Sequence, residues 1–372
     1  MTTGGGGGPP MRVIQSEVTN PFWNLALEEC IYEQTQAGEG DFFRNLGAEA
    51  EILFLWRNES SVIIGRNQNP WRECHVDALE RDGVHLVRRG SGGGAVFQDV
   101  GNSIISFFSP KDGYSRDGNY AELIAACAQL GFQGDLAVTI KGRNDLEVQG
   151  RKVSGSAFKL NNRRALHHGT LLLDTDMSRL SSYLHPNKLK LKSKGVASAQ
   201  ARVVNMKQAL IDAGRRDLAA ALTHENLCTH IAQQFLLHHQ SHDNPQQQQP
   251  AERWGEAEFV RFPAFQEKLG RLMDWSWRFG ECPSFEHQLE HRFEWGTVDV
   301  NINSENGLIS EIQVYSDSLY PQMIDLIEAA LKGVPYQRQA IHEALQRWTS
   351  ASQHEAFYPL VQEFSQWIVS KL

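Results

Sequence analysis

Three stretches of the chain bring residue types that do chemistry into close spacing. The first is Arg88-Arg89-Gly90-Ser91-Gly92-Gly93-Gly94-Ala95-Val96-Phe97-Gln98-Asp99, a glycine loop between two apolar runs. Glycines let a ligand approach the backbone, whose N–H groups converge on anionic oxygens. The arginine pair offers fork-shaped charge suited to phosphate or carboxylate. The loop opens no helix with Gly-x-Gly-x-x-Gly and carries no Gly-Lys-Ser/Thr, so it is neither a dinucleotide fingerprint nor a Walker loop. The glycines alone fit a plain turn equally well. The second stretch runs from Lys141 to Phe158. Asn144-Asp145 there pairs an amide with a carboxylate, able to hold a divalent cation that bridges phosphates. Lys152 is followed by Ser154, Gly155, Ser156 and Ala157, small residues that leave room for a ligand beside the ammonium. Such a lysine serves as a point charge between two anions; the alternative is an exposed hairpin lysine. The third is His167-His168-Gly169-Thr170. Adjacent strand residues face opposite ways, so only one histidine reaches a given site. His168 also reads as a hydrogen-bonded core residue, and no neighbouring His, Cys or acid stands at zinc-ligand spacing.

The elements that must position these groups follow from periodicity. Residues 21–34 read as an amphipathic helix, 51–56 and 61–64 as strands, 76–81 as a helix and 84–87 as the strand entering the loop. A strand resumes through residue 108, and 120–130 reads as a second helix. Residues 138–173 alternate short apolar runs with polar turns and read as antiparallel hairpins. Helices are expected at 206–213 and 225–237. Lys188, Lys190, Lys192 and Lys194 fall on one face of an extended segment, either a flap over phosphates or a lysine-protected edge strand. Residues 238–250, with Asn244-Pro245 and a glutamine run, read as a linker or long exposed loop. Strands at 291–295, 297–302 and 308–315, then helices at 323–331, 337–348 and 357–372, predict a small α+β domain.

Composition bounds the rest. At 372 residues and 41% hydrophobic, the chain is of ordinary globular type with room for two domains. No apolar run nears the ~20 residues of a membrane span, and the start lacks the features of a signal or transit peptide. Five scattered cysteines, none in Cys-x-x-Cys spacing, argue for a reducing compartment, with cytoplasm the expectation. From Lys141 to Arg202 there are 13 Lys/Arg against 4 Asp/Glu, a net of +9 on a chain whose total is −8. This basic island suits a local anionic ligand or an acidic partner, or is a solvated surface.

Taken in order, 88–99 with Gly101-Asn102, Gly142 to Leu146, Gly150 to Ala157 and His167 to Leu172 resemble the lipoate–protein ligase family. The resemblance extends to residues 21–26, 55–58, 64–71, 183–184 and 194–195, and past the linker to 277–280, 293–296 and 317–319. It covers nearly all of 11–372. It implies an α+β fold: a large domain with a mixed, largely antiparallel sheet flanked by helices, of the biotin/lipoate-ligase type, plus a small α+β C-terminal accessory domain. The implied division is a disordered extension 1–10, a lipoate/ATP-binding catalytic domain 11–240, a linker 241–252 and an accessory domain 253–372.

The family's reaction has two steps, formation of lipoyl-AMP and pyrophosphate from lipoate and ATP, then transfer to a lysine amine. Lys152 would touch both the lipoyl carbonyl oxygen and the α-phosphate. Arg89 and the backbone of Gly94, Ala95, Val96 and Phe97 would cradle the nucleotide, and Arg88, Ser91 and His168 would line the lipoyl side. Asn144 and Asp145 would place Mg²⁺ with the triphosphate, and no tightly bound cofactor is implied. The implied acceptors are lipoyl domains of 2-oxoacid dehydrogenase E2 subunits and the glycine cleavage H protein, with the enzyme a monomer bound to neither nucleic acid nor membrane.

One position departs from the pattern. Gln98 stands where many relatives carry histidine; it keeps a donor and an acceptor but does not titrate near neutrality. Three rivals remain. A lipoyltransferase would use preformed lipoyl-AMP, an octanoyltransferase would need a pocket thiolate, with Cys74 beside His75 the conspicuous candidate, and a non-enzymatic module would hold nucleic acid on the basic island.

Overall fold

In the computed structural model the described residues are 11–37, 49–68, 70–184, 203–239, 251–262, 264–278, 287–305, 308–336, 338–349 and 356–371. The expected extension at 1–10, the lysine stretch 188–195 and most of the 241–252 linker lie outside them. Contacts divide the chain into two compact units. The first comprises residues up to Ile63, His75–Val87 and Val96–Asp274; the second comprises Ile64–Cys74, Arg88–Ala95 and Trp275 onward.

The strands, in chain order, are β1 (Met11–Ser16), β2 (Glu51–Trp56), β3 (Ser61–Ile64), β4 (His85–Arg88), β5 (Val96–Gln98), β6 (Asn102–Pro110) and β7 (Val138–Lys141). They continue with β8 (Asp145–Val148), β9 (Arg151–Leu160), β10 (Arg164–Leu172), β11 (Glu252–Trp254), β12 (His287–Phe293), β13 (Gly296–Glu305) and β14 (Leu308–Ser316). The large sheet has the order β11-β1-β2-β6-β10-β9-β8-β7. It is mixed: β1 pairs in parallel with β2 and β11, and the pairs from β2 to β7 are antiparallel. The hairpins expected at 138–173 are β7 to β10. The sequence signalled neither β1 nor β11, whose runs are too short or too lightly patterned to stand out.

Strand alternation sends the two faces to different tasks. Leu53, Leu55, Ile105, Phe107 and Leu171 point into a core shared with the Arg116–Gln129, Met206–Asp212 and His224–His239 helices. The first of these is N-capped by Ser115, whose Oγ accepts the Gly118 N–H at 3.0 Å. The register β2·β6·β10·β9 places Ser106 opposite His168, and His168 opposite Ala157, on the other face. The Pro21–Ala37 helix supplies Glu28 to that face.

The second unit is built on the antiparallel sheet β12-β13-β14. Its core joins Val298, Val300, Ile302 and Val314 to apolar positions of the Pro321–Leu331, Arg338–Thr349 and Tyr358–Lys371 helices. This is the small α+β arrangement expected of the C-terminal part. No helix among the described residues is long and apolar enough to cross a membrane.

Candidate functional site

Lys152 enters β9 at a defect in the ladder. Asp145 pairs with Gly155 and Leu146 with Ser154, but Glu147 pairs with Lys152, so the register shifts there. Residues 152 and 155 would face opposite ways on a regular strand; the bulge brings them to one face. A Cβ on Gly155 would stand 3.1 Å from the Lys152 Nζ and 3.3 Å from its Cε, so the missing side chain is the lysine's channel. Nζ meets Asp145 Oδ1 at 2.7 Å, with the two side chains 36% and 32% exposed. The ammonium is held, yet open to an incoming anion. Asn144 locks the turn beside it, since its Nδ2 donates to the Ser156 carbonyl at 2.8 Å and its own carbonyl accepts the Ser156 N–H at 2.8 Å.

His168 lies on the same sheet face. Its Nδ1 is 2.8 Å from Glu28 Oε1, which also accepts the Ser106 hydroxyl at 2.5 Å. Trp56 Nε1 donates to Ser106 Oγ at 3.0 Å, closing a buried chain. Glu28, Ser106 and Trp56 were missed in the sequence because they come from a helix and two strands far from His168. His167 does the opposite job. It packs against Tyr120, Phe107 and Phe158, and burial drives its pKa down to about 3, so it stays neutral in the core. The expectation that the two histidines part company holds.

In the glycine loop the arginines are buried, Arg88 at 7% and Arg89 at 6% exposure. Arg88 donates through Nη1 to the carbonyls of Arg66 at 2.9 Å and Gln68 at 2.6 Å, and through Nε and Nη2 to those of Trp277 at 2.8 Å and Arg278 at 2.9 Å. Burial lowers its pKa to about 10. Arg89 reaches back to its own loop: Nε to Ser91 Oγ at 3.1 Å, and Nη2 to the carbonyls of Gly92 at 2.6 Å and Gly94 at 2.9 Å. Both guanidiniums thus define the loop's shape. Gly92 must be glycine, because a Cβ would stand 2.1 Å from the Ser318 carbonyl oxygen, whereas a Cβ on Gly94 meets nothing within 4 Å. The loop is pinned at Gly92 and open at Gly94.

Gln98 ends a buried amide chain. Asn58 Nδ2 donates to Gln98 Oε1 at 2.8 Å, Asn24 Nδ2 to Asn58 Oδ1 at 3.0 Å, and Ser16 Oγ to Asn24 Oδ1 at 2.7 Å. The side chain therefore works as a fixed acceptor. The thiols offer no nucleophile among the described residues: Cys30, Cys74, Cys127 and Cys228 are buried, and desolvation raises each to about 12.

A mixed sheet that turns a lysine and a buried Glu–His pair onto one face, followed by a small α+β unit, is an arrangement that the comparisons with known proteins place among the ligases. Residues 20–235 match the lipoyl protein ligase A/B catalytic domain, and residues 282–368 the bacterial lipoate protein ligase C-terminus. The chain is 38% identical over 362 residues to lipoate-protein ligase A of Psychrobacter cryohalolentis, covering 97% of this chain and 99% of that one. The crystal structure of P. falciparum LipL1 in complex with lipoate superposes with a TM-score of 0.80 at 27% identity, over 98% of this chain and 100% of the other. A lipoate-protein ligase A structure bound with ATP matches with a TM-score of 0.54 at 20% identity, over 73% of this chain and 99% of that one. The chain belongs to the lipoate–protein ligase family. It is an enzyme of the ligase class, acting in protein lipoylation.

Proposed function

We propose that Lys152 is the residue that makes adenylate formation possible in this ligase. A lipoate carboxylate oxygen attacks the α-phosphorus of ATP, a phosphorus–oxygen bond forms, and the bond to pyrophosphate breaks. Both reactants are anions, so the step needs a cation that touches both and gains most when charge concentrates between them. The observation that carries the assignment is the Lys152 ammonium, open on one side and held by Asp145 in the space left by Gly155. In the second step a neutral acceptor lysine amine attacks the mixed anhydride carbonyl, AMP leaves with the bonding pair, and the amine's proton passes to solvent.

Further roles extend this proposal. Backbone N–H groups from Gly94, Ala95, Val96 and Phe97 take nucleotide oxygens where the loop is open. Arg88 and Arg89, with Ser91, act through the shape they impose on it. His168, fixed by Glu28, contributes a polar contact on the lipoyl side. Asp145 and the Asn144 amide are hard oxygen donors of the kind Mg²⁺ takes, and that ion would neutralise triphosphate charge. The acceptors are lipoyl domains of E2 subunits and the H protein. Segment 11–240 is the core of the catalytic domain. The accessory domain expected at 253–372 starts only at Trp275, because β11 joins the large sheet and residues to Asp274 pack with the first unit. The reducing compartment inferred from the cysteines is cytoplasm.

Lipoate-dependent ATP–pyrophosphate exchange tests the reading. Wild type exchanges and modifies an acceptor lysine only with ATP, Mg²⁺ and lipoate together. Transfer from synthetic lipoyl-AMP without any exchange would leave only a lipoyltransferase. Buried, high-pKa thiols disfavour an octanoyl thioester route.

A further inference from the structure

Away from these residues, the first unit holds a carboxylate that its surroundings leave unanswered. Glu122, on the Arg116–Gln129 helix, has a side chain only 3% exposed, and neither of its oxygens accepts a hydrogen bond. Burying an ionised carboxylate without a partner is costly. Its nearest polar neighbours are two imidazoles from the C-terminal end of the His224–His239 helix: His239 Nε2 at 3.3 Å and His238 Nε2 at 3.9 Å from Oε1. The three donor atoms lie within 4.8 Å of one another.

We propose that Glu122, His238 and His239 form a binding site for a zinc-type divalent cation that clamps these two helices together. The spacing argues for a metal over a simple ion pair. A charge-assisted hydrogen bond closes to ~2.8 Å, as Glu28 and His168 do at 2.8 Å in this same chain. Two ligand atoms each ~2.0–2.1 Å from one tetrahedral zinc stand instead ~3.3 Å apart, which is the Glu122–His239 separation. Two imidazoles and one carboxylate suit zinc and its transition-metal neighbours rather than Mg²⁺, which prefers oxygen. The half-exposed His238, 53% exposed, leaves a side through which the ion and a water ligand enter. The last carbonyls of the histidine-bearing helix add negative potential. Glu51, buried nearby, adds more. A bound ion needs neutral imidazoles, so binding weakens on acidification.

The test titrates Zn²⁺ into the chelator-stripped full chain against a chromophoric chelator, at about pH 8, where imidazole is neutral. Wild type is expected to bind one equivalent. His238→Asn and Glu122→Gln are expected to bind at least ~10-fold more weakly, the loss that even an outer-shell partner brings. His238 is exposed enough for its variant to fold; should Glu122→Gln fail to fold, His238→Asn alone decides. Absence of the equivalent in wild type, or unchanged affinity in a folded variant, overturns the site.

Discussion

In the 88–95 loop both guanidiniums turn onto backbone carbonyls of their own unit, whereas in the 144–157 hairpin the single ammonium meets a side-chain carboxylate and stays about a third exposed. Both regions combine glycine with basic residues, yet they use them differently. An arginine's planar fork can satisfy several carbonyls at once, which suits it to fixing an irregular loop. A lysine makes a point contact on a flexible stem and can exchange one anion for another. The loop's cations are tied to backbone carbonyls, while the hairpin's cation is the one our proposal puts to chemical use. The same contrast appears in the glycines. Gly92 exists so that two backbones can touch; Gly155 exists so that a side chain can pass.

The contrast predicts that loop substitutions act on stability and hairpin substitutions on rate. The largest effect is expected from Lys152→Ala, a fall of about 10²–10³-fold in lipoate-dependent ATP–pyrophosphate exchange with an unchanged melting temperature. Exchange near wild type would remove the lysine from the mechanism. Next comes Gly92→Ala, whose methyl has no space beside the Ser318 carbonyl. Calorimetry should show a loss of ~1–3 kcal/mol; an unchanged melting point would mean the loop is not pinned there. Arg88→Lys keeps the charge but loses the fork, and a comparable ~1–3 kcal/mol is expected from the carbonyls left unpaired. If its main defect were a raised KM for lipoate in a fully stable protein, the loop arginine would be a ligand group after all. Gly155→Ala only nudges the flexible lysine tip, so about a 10-fold fall in kcat is expected, again without thermal cost.

The smallest and most diffuse effect is on pH dependence, and it separates the two units. His167 titrates at about 3 when folded against 6.5 when free, so its contribution is complete above 6.5 and is lost as pH falls toward 3. Glu328 in the second unit is raised by burial to about 7 from 4.5, so its contribution is complete below 4.5 and is lost as pH rises through 7. Amide exchange followed by strand should show β10 losing protection on acidification and β14 gaining it. Parallel drift of both strands would refute the separate accounting.

The signals from which the proposed site is read are local. A lysine beside small residues, a glycine run behind paired arginines and alternating histidines are all short-range patterns, and strand alternation alone separates His167 from His168. Other parts had no local signal. That Lys152 and Gly155 share a face depends on a bulge, which no residue type in 151–155 announces. Gln98 read as an unexplained departure until Asn58, 40 positions away, proved to donate to it. The carbonyls that Arg88 binds, at 66, 68, 277 and 278, carry no side-chain signature, so the sequence shows a guanidinium and not its partners.

By itself, then, the sequence determined the family, the α+β architecture of both parts, and which residue types could meet an anion, since each follows from periodicity and short motifs. Only the tertiary structure decided which of those charges are free to do so. It turned Arg88 and Arg89 inward, left Lys152 open against Asp145, tied His168 to Glu28, and brought Glu122 to His238 and His239 across more than a hundred residues. A charge's availability depends on the desolvation and hydrogen bonds around it, and these are supplied by groups that meet only when the chain has folded.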